Sequence, residues 1–188
     1  MLKKITKKWL ENQRACEEGV DWFLGCKESD PVKLLRMAIN SGELEVLDYA
    51  IWGITRLLTK KNNIRFAIYC AEKVIHIFEN SYPEDKRPRQ AIQAAKRYLK
   101  NMTKENRNAS FAAANAAASA AADAYAAADN NAWAAANAAA SAAAYAAGYG
   151  SGYEAAGSAA AYAADDDAKK AIYIKFINYG IKIIKESK

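Results

Sequence analysis

FAAANAAASAAA occupies residues 111–122 and WAAANAAASAAA residues 133–144: the same twelve-residue phrase but for its leading aromatic, repeated at an offset of 22 residues. Within it the residues other than alanine fall at every fourth position, at 111, 115, 119 and 123 and again at 133, 137, 141, 145, 149 and 153. Four residues turn through about 400°, so they draw one slowly drifting stripe along a helix. Alanine is the best helix former and loses no rotamer freedom on burial. A third unit, from Glu154 onward, is degenerate.

Alanine makes up 33 of the 56 residues from Ala109 to Ala164. Burying a methyl yields about 0.8 kcal/mol, whereas fixing each backbone unit costs about 1–2 kcal/mol, so this segment must fold onto the rest of the protein. Small side chains let helix axes approach to about 8 Å. The expectation is two or three short, closely packed helices, broken near Asp129-Asn130-Asn131 and within Gly148–Gly152.

Outward from this stretch, helical patterns continue. Ile5, Trp9, Cys16, Val20 and Phe23 predict a helix over about 3–24, with Gly25 placed to end it. Ser29-Asp30-Pro31 starts a helix over about 31–40 that buries Val32, Leu35 and Ile39 and stops at Ser41-Gly42. Leu44, Leu47, Ile51, Ile54 and Leu58 line a helix over about 43–58, with Trp52 on its flank. Thr59 caps the next, over about 60–80, whose stripe is Ile64, Ile68, Ala71, Val74, Ile75 and Phe78. Asp85 is expected to cap a helix over about 86–100 with Pro88 in its first turn. Asp165-Asp166-Asp167 sets negative charge at the positive end of a last helix, over about 166–185, with Ile172, Phe176, Tyr179 and Ile183 on its apolar face. No segment alternates with period two. The chain therefore reads as all-α: one domain over 1–188, a multi-helix bundle or solenoid-like array with closely packed Ala-rich helices over 109–164 between amphipathic helices over 1–108 and a C-terminal helix over 165–188.

With 52% hydrophobic and 26% charged residues, the chain can bury a core, which argues against global disorder. Cys16, Cys26 and Cys70 lack paired spacing and read as reduced thiols, small buried hydrophobes of a cytoplasmic protein. The charged start MLKKITKKWLENQR argues against a secretion signal. Asn115, Ser119, Asp123 and Asp129 interrupt the alanines too often for a membrane span, so no membrane partner is expected. The net charge of +6 divides into +7 over residues 1–108, −6 over 109–167 and +5 over 168–188. Acids are interspersed among the bases of the first block, and no zinc-finger spacing or RNA-binding aromatic motif is present, which argues against nucleic acid.

Chemistry-bearing motifs are few. His76 is the single histidine, and the sequence contains no phosphate loop or nucleophile elbow. No enzyme activity, metal or cofactor is expected. The most informative phrase is Tyr82-Pro83-Glu84-Asp85-Lys86-Arg87-Pro88-Arg89. Arg87 and Arg89 beside a helix start could grip a carboxylate or phosphate. Alternatively they pair with nearby acids such as Glu84 and hold the turn rigid, which the chemistry favours. Tyr125, Trp133, Tyr145, Tyr149, Tyr153 and Tyr162 punctuate a surface of methyls, either as a partner-recognition face or as core filling.

Ala15-Cys16-xx-Gly19-xx-Trp22-Phe23, Arg65-Phe66-Ala67-Ile68-Tyr69-Cys70-Ala71-Glu72-Lys73-Val74-Ile75 and Ile77-Phe78-Glu79-xx-Tyr82-Pro83-x-Asp85-x-Arg87-Pro88-Arg89-x-Ala91-Ile92, followed by an Ala-rich tract, resemble the immunity proteins of bacterial toxin systems, which also occur in phage genomes. The similarity covers most of residues 14–108, and the Ala-rich half matches in composition. The resemblance implies a non-enzymatic protein that blocks a toxin by binding it, and assigns no site residues. The alternative is a phage-encoded antagonist of bacterial defence that binds a defence protein or sequesters a nucleotide between Arg and aromatic side chains. Tyr82, Asp85, Arg87, Arg89, Trp133, Tyr145, Tyr149 and Tyr153 are the candidate contact residues. Homo-oligomerisation through alanine faces is a further expectation, since small residues permit close approach.

Overall fold

The computed structural model describes residues 4–161 and 165–187. Within them it holds ten helices and no strand: α1 (Lys7–Asn12), α2 (Glu17–Cys26), α3 (Pro31–Ser41), α4 (Leu44–Leu57), α5 (Lys60–Ser81), α6 (Arg87–Lys100), α7 (Lys104–Ala126), α8 (Asn130–Ala147), α9 (Gly152–Ala160) and α10 (Asp166–Glu186). The protein is all-α, as its periodicity requires. The chain divides into two compact units, one of Met1–Leu58 with Asp166–Lys188, the other of Thr59–Asp165.

In the first unit, the single helix expected over 3–24 is two. Arg14 takes a left-handed φ of 59°, and the Ala15 N–H donates back to the Leu10 carbonyl at 3.0 Å, ending α1 before α2 begins. The break lets Leu10 and Val20 join Ile5 and Leu34 in one small cluster, flanked by half-buried Trp9, Trp22, Phe23 and Trp52. α2 runs one residue past Gly25, and Lys27 takes the left-handed position behind it. Cys16 sits exposed ahead of α2, unlike buried Cys70 and half-buried Cys26. Asp30 caps α3 by accepting the Lys33 N–H at 2.9 Å. Gly42, at φ 66°, closes it. The buried face of α3 is Pro31, Leu34, Leu35 and Ala38; Val32 and Ile39 are half-buried because that i, i+3, i+4, i+7 set, which includes the proline, meets the core instead.

α10 packs on α3 and α4. Ile172, Phe176 and Ile183 are buried as expected, while Tyr179 is half-buried. Two features hold the seam between α10 and α4: the Tyr173 hydroxyl donates to Asp48 Oδ1 at 3.0 Å, and Gly180 lies against Ile54 so closely that a β-carbon there would stand 2.6 Å from Ile54 Cδ1.

The second unit is built around α8, which packs against α5, α6, α7 and α9. Eleven of its alanines are buried, and only small side chains let four neighbours reach one helix at short range. The six residues expected to form the stripe of α5 are all buried, joined by Phe66, Ala67 and Cys70. Thr59 caps α5 through the Asn62 N–H, at 3.3 Å. α7 is longer than expected, because Thr103 caps it by accepting the Asn106 N–H and the polar run 104–110 joins the helix. It buries one face, Ser110, Ala114, Ala117, Ala121 and Ala124, together with Ala120. Ser110 is fully enclosed, and its hydroxyl donates to the Ala143 carbonyl of α8 at 2.8 Å. The breaks fall where expected, at Ala127–Asp129 and Gly148–Ser151.

Candidate functional site

The Tyr82–Arg89 phrase forms the turn from α5 to α6. Tyr82 stacks on Phe78 with ring centroids 5.0 Å apart. Asp85 does not occupy the capping position; Lys86 does, with no side-chain cap. The Asp85 carboxylate, one residue too early for that role, instead accepts the Arg87 N–H at 3.0 Å and its guanidinium at 2.6 Å.

Both arginines are engaged within the fold. The Arg87 guanidinium also donates to Asp123 Oδ2 of α7 at 2.7 Å. Arg89 forks onto Glu79 of α5, Nε to Oε1 at 2.7 Å and Nη2 to Oε2. One heptad further along the antiparallel pair, Lys96 meets Glu72 at 2.5 Å. The partners are Asp85, Asp123 and Glu79 rather than Glu84. Arg87 holds the Asp85 carboxyl below its ordinary value, and Arg89 does the same for Glu79. These partners stabilise the charged form of each guanidinium in turn. The cluster ties α5, α6 and α7 together, and its donors point at protein acids.

The aromatic residues fall differently. Phe111, Tyr125, Trp133 and Tyr149 are exposed, whereas Tyr145 and Tyr153 are half-buried. Tyr162 lies outside the described residues. The exposed four meet in two pairs: Phe111 with Tyr149 at 4.7 Å, and Tyr125 with Trp133 at 6.0 Å. α7 and α8 run antiparallel, so each pair closes one end of a shared face, and the 14 residues from Phe111 to Tyr125 separate the ends by about 21 Å. Between them α7 presents exposed Ala118 and Ala122, and α8 presents half-buried Asn137, Ser141 and Ala144. The result is a strip of methyl and small polar groups with a ring pair at either end.

Tyr125, named among the aromatics of a possible recognition face, and Phe111, which was not, both belong to this face. Phe111 leads its repeat as Trp133 leads the other, and that correspondence was the available signal. Asp123 turns to the α6 flank, where Arg87 takes it.

No curated protein and no solved structure matches the chain at a significant level. The family model described as Imm-5 like putative immunity protein matches residues 54–186. The match takes in the Arg65–Ile75 and Ile77–Ile92 phrases, the whole Ala-rich stretch and α10, and leaves out the Ala15–Phe23 phrase. It thus reaches well beyond the 14–108 span of the resemblance at one end and falls short of it at the other. Spanning 133 of the 188 residues, this match makes the chain a member of the Imm-5 like immunity protein family.

Proposed function

We propose that the chain is a non-enzymatic inhibitory binding protein of the toxin-immunity type, acting in the cytoplasm by laying the α7–α8 face over the working surface of a protein toxin. The observation that carries this is the gathering of Phe111, Tyr125, Trp133 and Tyr149, four of the exposed large hydrophobic side chains of the described residues, on one face. Rigid rings that lose little entropy on contact dominate protein interfaces, with small polar groups adapting between them. Binding a nucleotide through Arg87 and Arg89 is the weaker reading, because it requires breaking ion pairs to Asp85, Asp123 and Glu79.

The test is co-expression with a toxin partner identified by pull-down from the native host. Tyr125→Ala with Trp133→Ala is expected to weaken the complex about tenfold or more per hot-spot ring and to abolish protection in a variant that still folds, its melting temperature lowered modestly by loss of the ring pair. Retained protection by that folded variant contradicts the reading. Arg87→Ala with Arg89→Ala is expected to lower the melting temperature and leave affinity of the folded protein unchanged.

A further inference from the structure

The second unit carries its bases in two different ways. At one pole, the start of α6 is matched to acids: Arg87 meets Asp85 and Asp123, and Arg89 meets Glu79. At the other pole Lys60, Lys61, Arg97, Lys100, Lys104 and Arg107 are all exposed, and none of the six has an ion-pair partner among the described residues. Antiparallel packing gathers them. The Arg89–Glu79 and Lys96–Glu72 pairs set the end of α6 beside the start of α5, and three residues part Lys100 from Lys104. Lys60 Nζ lies 4.0 Å from where a β-carbon on Gly148 would stand, next to the Tyr149 ring that meets Phe111. Residues 60–65, 97–111 and 145–154 carry two carboxylates, and both are engaged at helix starts: Glu154 accepts the Ser151 N–H at 2.9 Å, and Glu105 bonds to Thr103 and to its own backbone. Helix polarity does not account for these bases. Arg97 and Lys100 suit the end of α6, but Lys60, Lys61 and Lys104 occupy the first turns of α5 and α7, where the helix dipole disfavours a cation. Like charges gathered in this way repel one another, and no acid of the pole is left to offset them.

We propose that this pole docks on an acidic surface of the protein that the chain blocks, the neighbouring Phe111–Tyr149 pair joining it to the α7–α8 face. The inference rests on the toxin-immunity reading and adds the charge of the partner: carboxylates complement the six bases, whereas a working surface that grips phosphate through lysine and arginine would be repelled. A protein with a local acidic patch fits better than a nucleic acid. A phosphate backbone calls for positive charge along its path, yet beyond the pole the sequence holds no Lys or Arg from Asn108 to Ala168, and Asp129 stands at the start of α8 at the opposite end of the α7–α8 face. The pole acts chiefly on encounter, since a patch of one sign speeds association with an oppositely charged partner, and more so at low salt.

Stopped-flow association of the full chain with the toxin identified by pull-down, at low and high salt, tests this, with fluorescein-labelled polyglutamate as a defined acidic probe. Lys61→Glu with Lys104→Glu sets acids where the helix dipole favours them, so the variant is expected to melt at or above the wild-type temperature. Its association with the toxin should nevertheless be about tenfold or more slower at low salt, the difference shrinking at high salt. Lys175→Glu with Lys182→Glu, the same change of charge at exposed positions of α10, should associate as the wild type does. Polyglutamate should bind the wild type at low salt and the Lys61/Lys104 variant about tenfold or more weakly. Association indifferent to salt and to the Lys61/Lys104 variant, equal slowing by the α10 variant, or unchanged polyglutamate binding overturns the proposal. So does single-stranded DNA of equal charge that binds more tightly than polyglutamate at about 0.15 M salt and loses its binding in the Lys61/Lys104 variant. If Tyr125→Ala with Trp133→Ala abolishes protection while the Lys61/Lys104 variant associates and protects as the wild type does, the acidic partner falls and toxin binding by the α7–α8 face stands; if the ring variant protects fully while the Lys61/Lys104 variant associates slowly, the reverse holds.

Discussion

Gly180 shows how one missing side chain governs a helix contact. Replacing it with alanine gains about 0.5–1 kcal/mol of helix propensity, but the new methyl would stand 2.6 Å from Ile54 Cδ1 and 2.9 Å from Ile54 Cγ2. Overpacking of this kind costs about 1–3 kcal/mol, so Gly180→Ala is expected to be net destabilising in thermal melts. Carboxylates give a second prediction. Glu28 accepts the Asp30 and Ser29 N–H groups and pairs with Lys33, which lowers its pKa from 4.5 to about 2. A group depressed in the folded state stabilises above its unfolded value and loses that contribution as pH falls through the folded one. Stability should therefore decline between about pH 4.5 and 2, with Glu79 and Asp85, also lowered, adding to the decline, and Glu28→Gln should flatten the curve in that window. The role of Arg87 was half legible: nearby acids predicted a rigid turn, but Asp123 lies 36 positions away in sequence and only the α6–α7 packing brings it near.

At the scale of elements, two copies of one phrase meet two environments. Ala112, Ala118 and Ala122 of α7 are exposed, while their counterparts Ala134 and Ala140 of α8 are buried and Ala144 is half-buried. Local sequence specifies the helix in both cases. Which copy becomes the central helix is decided by the neighbours, α5, α6 and α9, that wrap α8, and no pattern within the repeat encodes that. The start of α7 was illegible for a related reason: the polar run 104–110 has no apolar period, and Thr103 supplies the cap. Leucine at Ala117 or Ala139, both fully enclosed, should cost about 1–3 kcal/mol each in denaturant melts. Leucine at exposed Ala118 should stay within about 0.5 kcal/mol of the wild type. Equal effects at Ala118 and Ala139 would contradict the packing.

At the scale of the molecule, the family match begins at Ile54 and ends at Glu186, so it contains all of Thr59–Asp165 and both sides of the Ile54–Gly180 contact. What the whole chain adds is a reason for the alanine excess: a central helix must be thin on every side, and the helix beside it can then display rings along an edge. Amide hydrogen exchange on the native protein tests that claim most directly, since protection grows with enclosure while an unsupported alanine helix frays. The slowest amides of the second unit should lie in Asn130–Ala147 and on the buried face of α5, with Lys104–Ala126 faster. Exchange across Asn130–Ala147 as fast as in an isolated alanine-rich helix would contradict the account.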